Sequence, residues 1–316
     1  MSRRLLLTDC PWGDAEIERG VLEPKGVEII VAPAKDESTL IELARDADAI
    51  ATCWAKVTAP VIEAAARCRL IARMGIGLDN IDLQAAERRK IVVTNVPDYC
   101  VTEVADHALA LLLASARNVA FHHWNTKQGV YDLQAGPKMN RLGGMRLGLL
   151  GFGRIAREVH QRARAFGLDV QASTPSGDDY GTGCRMVSLK ELLSTSDFLS
   201  LHAPLTAETR QVLNRESLRM LKPTAVVINT SRGGLIDHEA LWEALRNGRL
   251  GGAALDVFDP EPPDLGHPLF ADERVIATPH AAFVSEESLA DLRTTVAGQV
   301  LDVFAGRTPK NVVNGG

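Results

Sequence analysis

Short apolar runs alternate along the chain with longer segments whose apolar positions recur at helical spacing. The runs at residues 5–8, 27–31, 49–52, 70–73 and 91–94 predict strands, and the patterns at 15–19, 38–45, 60–67 and 83–89 predict helices, with Pro60 suited to a first helical turn. The same alternation restarts at residues 146–150 and continues through strand candidates at 169–172, 198–201, 225–229, 250–257 and 275–277. Helical patterns at 154–166, 188–193 and 238–247 separate them. Such alternation is the mark of a parallel sheet wrapped by helices, so the chain is read as α/β with two doubly wound parallel-sheet domains. A cleft between two such domains is the default place for a ligand. A long helical pattern from Thr102 to about Ala120 leads from the first set to the second, and residues 285–304 predict a further helix that packs back on the first. The expected division is 1–99 plus about 285–316 for one domain and about 100–284 for the other.

Composition narrows the function classes. With 316 residues, 46% of them hydrophobic, the chain can bury two cores, and a net charge of −5 lacks the basic footprint of a nucleic-acid binder. Arg157, Arg162 and Arg164 read as a solvated helix face. The 5 cysteines are scattered without C-x-x-C spacing, which suits a reduced, cytoplasmic protein. Met1-Ser2-Arg3-Arg4 imitates the start of a secretory leader, but the apolar run breaks at Thr8-Asp9, and the longest apolar stretch, 108–114, is too short to span a bilayer. No membrane role is expected, and His122-His123 has no partners at metal-ligand spacing, so no metal site is expected either.

The most informative segment is Gly151-Phe152-Gly153-Arg154-Ile155-Ala156, which follows one predicted strand and opens a predicted helix. Gly151 would permit a tight turn, Gly153 a close backbone approach to a pyrophosphate, and Ala156 close packing of helix on strand. The helix would present its unpaired amides and positive dipole end to phosphates. A glycine triplet alone is weak evidence; the strand before it and the helix after it give it weight.

Five segments together carry a family resemblance: Gly75-Ile76-Gly77-Leu78-Asp79-Asn80-Ile81-Asp82, the Gly151 motif, Asn229-Thr230-Ser231-Arg232-Gly233-Gly234, Ala254-Leu255-Asp256-Val257-Phe258 and Thr278-Pro279-His280. In this order and spacing the chain resembles the D-isomer-specific 2-hydroxyacid dehydrogenases over nearly its whole length. Val96-Pro97-Asp98-Tyr99-Cys100 and Thr8-Asp9-Cys10-Pro11-Trp12 look most like the branch that includes the C-terminal-binding-protein dehydrogenases. The resemblance implies two Rossmann-like or flavodoxin-like domains, a nicotinamide cofactor and a small 2-oxo or 2-hydroxy acid substrate. It favours a glyoxylate- or hydroxypyruvate-type reductase, and the reading from a different class is a nucleotide-sensing binding scaffold like the C-terminal-binding-protein corepressors.

Reduction of a 2-oxo acid needs a hydride for the carbonyl carbon, a proton for the oxygen and a cation for the carboxylate. By resemblance His280 is the acid in reduction and the base in oxidation, a task for a group that titrates near neutrality. Glu261 is its partner carboxylate, which would stabilise the imidazolium, and Arg232 can fork onto carboxylate and carbonyl oxygens as lysine cannot. Each has a plainer reading: a structural loop histidine, a turn carboxylate with Asp259 as competitor, an arginine pairing at a strand end. Their order and the 29 positions between Arg232 and Glu261 favour the chemical one.

Substrate contacts are less determined. The Gly75-Ile76-Gly77 turn resembles a loop whose amides accept the substrate carboxylate, with Ile76 and Gly77 the contributors, although a glycine there also serves a positive-φ turn. Tyr99, Trp54 and Phe283 stand where pocket walls are expected, with core packing an equal alternative; Asp79 and Asn80 read as structural. Further cofactor contacts implied by position are Arg154 and Ile155 at the pyrophosphate, Ala203 and Pro204 beside His202 on the adenosine side, and Thr209 near the phosphates. Thr230 and Asp256 would flank the nicotinamide, with the Asp256 carboxylate accepting from the carboxamide. One departure bears on cofactor choice: Thr174 stands where NAD-dependent members carry an acid for the ribose hydroxyls, 23 positions beyond Gly151. Loss of that carboxylate removes repulsion of a 2′-phosphate, so NADP(H) as well as NAD(H) is expected, though no arginine follows at once and Asp178-Asp179 come soon after. Family members are commonly homodimers, and Leu109, Leu111, Leu112 and Leu113 would supply an interface or pack inside the subunit.

Overall fold

The structure, a computed structural model, describes residues 3–314, so Met1 and Ser2 of the leader-like start lie outside the described residues. The chain divides into two compact units: residues up to Cys100 with those from Val284 onward, and Val101–Phe283.

The first unit holds five parallel strands, β1 (Arg3–Leu7), β2 (Val27–Val31), β3 (Ala49–Thr52), β4 (Leu70–Arg73) and β5 (Val92–Thr94), in the order β2-β1-β3-β4-β5. Its helices are α1 (Glu16–Leu22), α2 (Glu37–Ala44), α3 (Ala59–Ala64), α4 (Leu83–Arg88) and, from the end of the chain, α11 (Glu286–Phe304). Both faces of the sheet are covered. Leu5 and Leu7 enter one core with Leu292, Val296 and Val300 of α11, while Leu6 points into the other with Ile50 and Ile71. Strands buried on both faces have no polar side to show, which is why they read as unbroken apolar runs. A buried ion pair, Arg293 to Glu18 at 2.6 Å, ties α11 to α1.

The second unit contains α5 (Val101–Ala116), α6 (Val119–Lys127), β6 (Arg146–Leu150), α7 (Arg154–Ala165), β7 (Asp169–Ser173), β8 (Arg185–Met186), α8 (Leu189–Thr195), β9 (Phe198–Leu201), α9 (Arg215–Leu218), β10 (Val226–Asn229), α10 (His238–Arg246), β11 (Gly252–Leu255) and β12 (Val275–Ala277). The sheet order is β12-β11-β10-β9-β6-β7-β8, all pairs parallel. The chain runs outward from β6 to β8 and then crosses to β9, so the direction of winding reverses between β6 and β9. That reversal opens a crevice at the carboxyl ends of these two strands, the place where doubly wound sheets take ligands.

Two sequence expectations need correction. The helix expected over residues 102–120 is two helices bent by 65°, because Asn118 adopts a left-handed backbone at φ +49° between them. Asparagine tolerates that conformation better than most residues, and no glycine or proline advertises the break. Of the two readings of the α5 leucines, packing inside the subunit is the one seen, with Leu109, Leu111 and Leu112 buried beside Leu147 and Leu149. The strand expected at 250–257 ends at Leu255 and leaves Asp256 beyond the ladder. No single helix among the described residues is long and apolar enough to cross a membrane.

Candidate active site

The two glycines of the β6–α7 turn do different work. Gly151 sits at φ +90°, and a Cβ there would lie 2.7 Å from the His202 carbonyl carbon and 2.8 Å from the Ala203 amide, so the β6 and β9 ends close up only around glycine. Gly153 caps α7 without a side chain, and a Cβ on it would meet nothing within 4 Å. The first-turn amides of α7 thus open onto clear space, which suits a phosphate. Ala156 is fully buried against the sheet. Arg154 is exposed, whereas the Ile155 side chain packs on the core and leaves only its amide for a ligand.

Thr174 directly follows β7 and is half-buried, with its carbonyl accepting from Gly177 N–H in a turn. The neighbouring carboxylates are engaged by their own loop: Asp178 accepts from the Tyr180 amide at 2.7 Å and Asp179 from the Gly181 and Gly183 amides at 3.0 Å. Across the strands, burial pushes the His202 imidazole down to about 4, so it is neutral at physiological pH, and its Nε2 lies 2.8 Å from Ser200 Oγ. Ala203 is buried and its carbonyl accepts from Ser231 Oγ at 2.7 Å. Thr209 Oγ1 donates to the exposed Pro204 carbonyl at 2.6 Å and accepts from the Thr206 amide at 2.8 Å, so its hydroxyl braces a loop. Thr230 Oγ1, just beyond β10, is buried with no hydrogen-bond partner among the described residues. Enclosed hydroxyls are rarely left so, and the open space at Gly153 together with this orphan fits a dinucleotide running from α7 to the end of β10.

The three residues expected to carry the chemistry converge within this unit. Asn229 closes β10 and turns the chain: its side chain donates to the Arg232 carbonyl at 2.9 Å and accepts from the Ser231 amide at 3.0 Å. Gly233 follows because the Phe258 backbone presses on it; a Cβ there would lie 1.9 Å from the Phe258 carbonyl carbon. That contact brings the 258–261 turn to Arg232. Glu261 Oε1 accepts from the Phe258 amide at 2.9 Å, and Oε2 lies 2.8 Å from His280 Nδ1. Burial raises the Glu261 carboxyl, but the hydrogen bond and charge of His280, the Phe258 amide and the charge of Arg232 outweigh it and hold it below its ordinary value. An ionised carboxylate only accepts, so His280 carries its proton on Nδ1 and proton transfer to a substrate falls to Nε2. Phe283 packs its ring edge-on to the imidazole, with centroids 6.0 Å apart.

His280 itself is held at φ +55°, a left-handed conformation that costs a residue bearing a Cβ roughly 1–2 kcal/mol. Asp256 holds the turn that contains it. Its buried carboxylate accepts from Thr278 Oγ1 at 2.6 Å and from the Ala281 and Ala282 amides at 2.8 and 2.9 Å, while its carbonyl accepts from the His280 amide at 2.7 Å. The Asp256 side chain is 0% exposed and gives three acceptor positions to the 278–282 turn, a structural role beside the contact with a nicotinamide carboxamide expected from the sequence.

In the first unit, Gly75 takes φ +148° after β4, its carbonyl accepts from the Val96 amide, and the Ile76 carbonyl accepts from Asn95 at 2.8 Å. Ile76 and Gly77 stay half-exposed, so their amides are placed on an open turn. Trp54 and Tyr99 both pack partly against the α11 side of the core. Asn80 is structural, donating to the Cys53 and Ala55 carbonyls on either side of Trp54 at 3.2 and 2.8 Å. The sequence motifs include Asp9 and Thr278 but assign them no role; Asp9 accepts from the Cys53, Trp54 and Ala55 amides, and Thr278 donates to Asp256. Both are polar residues immediately beyond apolar runs, which was the available signal.

The D-isomer specific 2-hydroxyacid dehydrogenase NAD-binding domain matches residues 109–282. The chain is 39% identical over 316 residues to D-3-phosphoglycerate dehydrogenase of Methanocaldococcus jannaschii, covering 98% of itself but only 59% of that relative's length. It is 39% identical to glyoxylate reductase of Korarchaeum cryptofilum, covering 89% of this chain and 88% of the relative. The structure of an NADPH-dependent glyoxylate/hydroxypyruvate reductase from Sinorhizobium meliloti, in complex with NADP and malonate, is similar at a TM-score of 0.88 and 29% identity, over 99% of this chain and 97% of that one. The family match over more than half of the chain and relatives at 39% identity over most of it place the chain: it belongs to the D-isomer-specific 2-hydroxyacid dehydrogenases.

Proposed function

We propose that the protein is an NAD(P)H-dependent reductase of small 2-oxo acids of the glyoxylate or hydroxypyruvate type, yielding the D-2-hydroxy acid. The observation that carries this is the 2.8 Å pairing of His280 with Glu261 beside Arg232. A bound reduced nicotinamide supplies the hydride. Arg232 forks onto the carboxylate and the carbonyl oxygen, drawing electron density from the carbon that is to be reduced. His280 Nε2 gives its proton to the carbonyl oxygen as that oxygen gains charge, and the Glu261 carboxylate, bonded at Nδ1, orients the imidazole for that transfer. Of the first unit's residues, the Ile76 and Gly77 amides are assigned to the substrate carboxylate and Trp54 and Tyr99 to the pocket wall, with Phe283 assigned to the wall from the second.

Cofactor contacts are assigned to the Gly151 and Gly153 turn, the amides of Arg154 and Ile155, Thr174, the Ala203-Pro204 segment braced by Thr209, and the unpartnered Thr230 hydroxyl. We assign NADP(H) as an accepted and favoured cofactor, because Thr174 offers a hydroxyl where a carboxylate would repel a 2′-phosphate and Asp178 and Asp179 are held by loop amides. None of the five cysteines is joined in a disulfide and four of them are buried, which supports a cytoplasmic setting. A homodimer is assigned to the segment that begins at α6: Trp124, Tyr131 and Leu133 are 63%, 95% and 89% exposed, large apolar side chains within ten residues that a second copy would cover. Sedimentation of wild type and Leu133→Glu tests it, with a dimer reduced to monomer by the substitution expected.

The deciding experiment follows NADPH and NADH oxidation against a panel of 2-oxo acids, with His280→Gln as control. Turnover that the control loses while still binding nucleotide supports the reductase. Tight nucleotide binding with no turnover on any acid would move the assignment to a nucleotide-sensing scaffold.

A further inference from the structure

We propose that His107, on α5, is a positioning residue for His280, acting through Thr278 and Asp256; the assignment rests on the dehydrogenase reading above. His107 Nε2 lies 3.1 Å from Thr278 Oγ1 and 3.6 Å from Asp256 Oδ1. Donor counting fixes the direction. A threonine hydroxyl has one proton, and Thr278 commits it to Asp256 at 2.6 Å, so its oxygen is left to accept. His107 therefore carries hydrogen on Nε2 and donates, and the chain runs from His107 through Thr278 to the carboxylate.

The consequence reaches His280 because it sits inside the turn that this carboxylate organises. Residue 278 is bonded to Asp256 from one side, and the amides of Ala281 and Ala282 from the other, at 2.8 and 2.9 Å. His280, at φ +55° between them, has no room to relax while both ends are held. Asp256 is fully enclosed, and the His107 ring nitrogen stands 3.6 Å from its Oδ1. Without His107, the Thr278 hydroxyl loses the donor that sets its rotamer, and the carboxylate loses that partner. The Glu261 hydrogen bond then orients the imidazole on a turn that is less well held.

The test compares wild type with His107→Leu and His107→Gln. Both replacements are good helix formers, so α5 is not penalised, and glutamine places an amide N–H near the position of Nε2. The expected result is a kcat 10- to 50-fold lower in the leucine variant, KM and nucleotide Kd within about 2-fold of wild type, and recovery to within about 3-fold in the glutamine variant. Thr278→Val, which keeps the shape and removes the hydroxyl, should reproduce the leucine effect. A leucine variant with wild-type kcat, or one that loses kcat, KM and melting temperature together and is not rescued by glutamine, overturns the proposal. Nitrogen-15 spectra of histidine-labelled protein decide it independently of turnover. His107 should show the Nε2–H tautomer, and the His280 ring signals should broaden or split in the leucine variant; unchanged His280 signals overturn the proposal. A wild-type protein that shows these spectra but reduces no 2-oxo acid would refute the dehydrogenase reading alone.

Discussion

Glu261 Oε2 and His280 Nδ1 are 2.8 Å apart, although the two residues come from different connections, one after β11 and the other after β12. The pairing has a chemical and a pH consequence. Glu261→Gln keeps the shape and a hydrogen-bonding atom but removes the charge that supports the imidazolium. We expect kcat for 2-oxo acid reduction to fall by about 10- to 100-fold with KM changed less than about 3-fold, measured at neutral pH. Because the folded state holds the Glu261 carboxyl below its ordinary value, it contributes stability that is present above that ordinary value and lost as pH falls through the lowered one. Acid titrations followed by circular dichroism should show wild type more stable than Glu261→Gln near neutrality and the difference vanishing at low pH.

Gly233→Ala tests how Arg232 and Glu261 are brought together. The added methyl would stand 1.9 Å from the Phe258 carbonyl carbon, a backbone atom that moves only with its whole turn. Overpacking of this kind costs typically 1–3 kcal/mol, and here it also displaces Glu261, whose Oε1 is hydrogen-bonded to the Phe258 amide. A melting temperature lowered by several degrees together with a loss of kcat larger than that of Glu261→Gln is expected. A variant with wild-type melting and turnover would show that the close approach is dispensable.

The legible part of this molecule is the part in which local pattern and global position coincide. Residues 5–7 and 147–150 announce strands because parallel strands are buried on both sides, and Gly151 and Gly153 announce the crevice because each meets a separate steric demand of the turn. Order and resemblance singled out Arg232, Glu261 and His280, and the fold brings Glu261 and His280 to 2.8 Å. The reason for Gly233 was not, since Phe258 reaches it only through the folded sheet. The structural role of Asp256 was not legible for the same cause: a carboxylate at a strand's end shows nothing of the turn of residues 278–282 that closes on it. The bend at Asn118 left no trace because a single left-handed residue needs no unusual composition. The two-residue β8 and the four-residue α9 are shorter than the periods that would reveal them.

His202 gives a second pH signature. Burial pushes its imidazole from an ordinary 6.5 down to about 4, so the unfolded chain takes up a proton in a range where the folded protein does not. Stability from this residue is therefore intact above the ordinary value, falls progressively between about pH 6.5 and 4, and changes no further below that. Melting curves of His202→Gln should lose part of the acid dependence of wild type across that interval while matching it below. Equal slopes in the two proteins would mean that His202 protonates in place.

Thr174→Asp addresses cofactor choice at the end of β7, where the half-buried threonine hydroxyl stands in place of a carboxylate. A carboxylate there accepts from two ribose hydroxyls but repels a phosphate on the 2′ oxygen, and the repulsion is strong because the dinucleotide would sit on the protein's own surface rather than in bulk water. The substitution is expected to lower kcat/KM with NADPH by about 10- to 100-fold and to raise or preserve it with NADH, with kcat at saturating NADH unchanged because the reacting groups are untouched. Comparison of the two nucleotides on one 2-oxo acid in both proteins measures the exchange directly. A wild type that already prefers NADH strongly, or an aspartate variant that loses both nucleotides equally, would mean that Thr174 does not set the preference and that the cofactor is chosen elsewhere along the crevice.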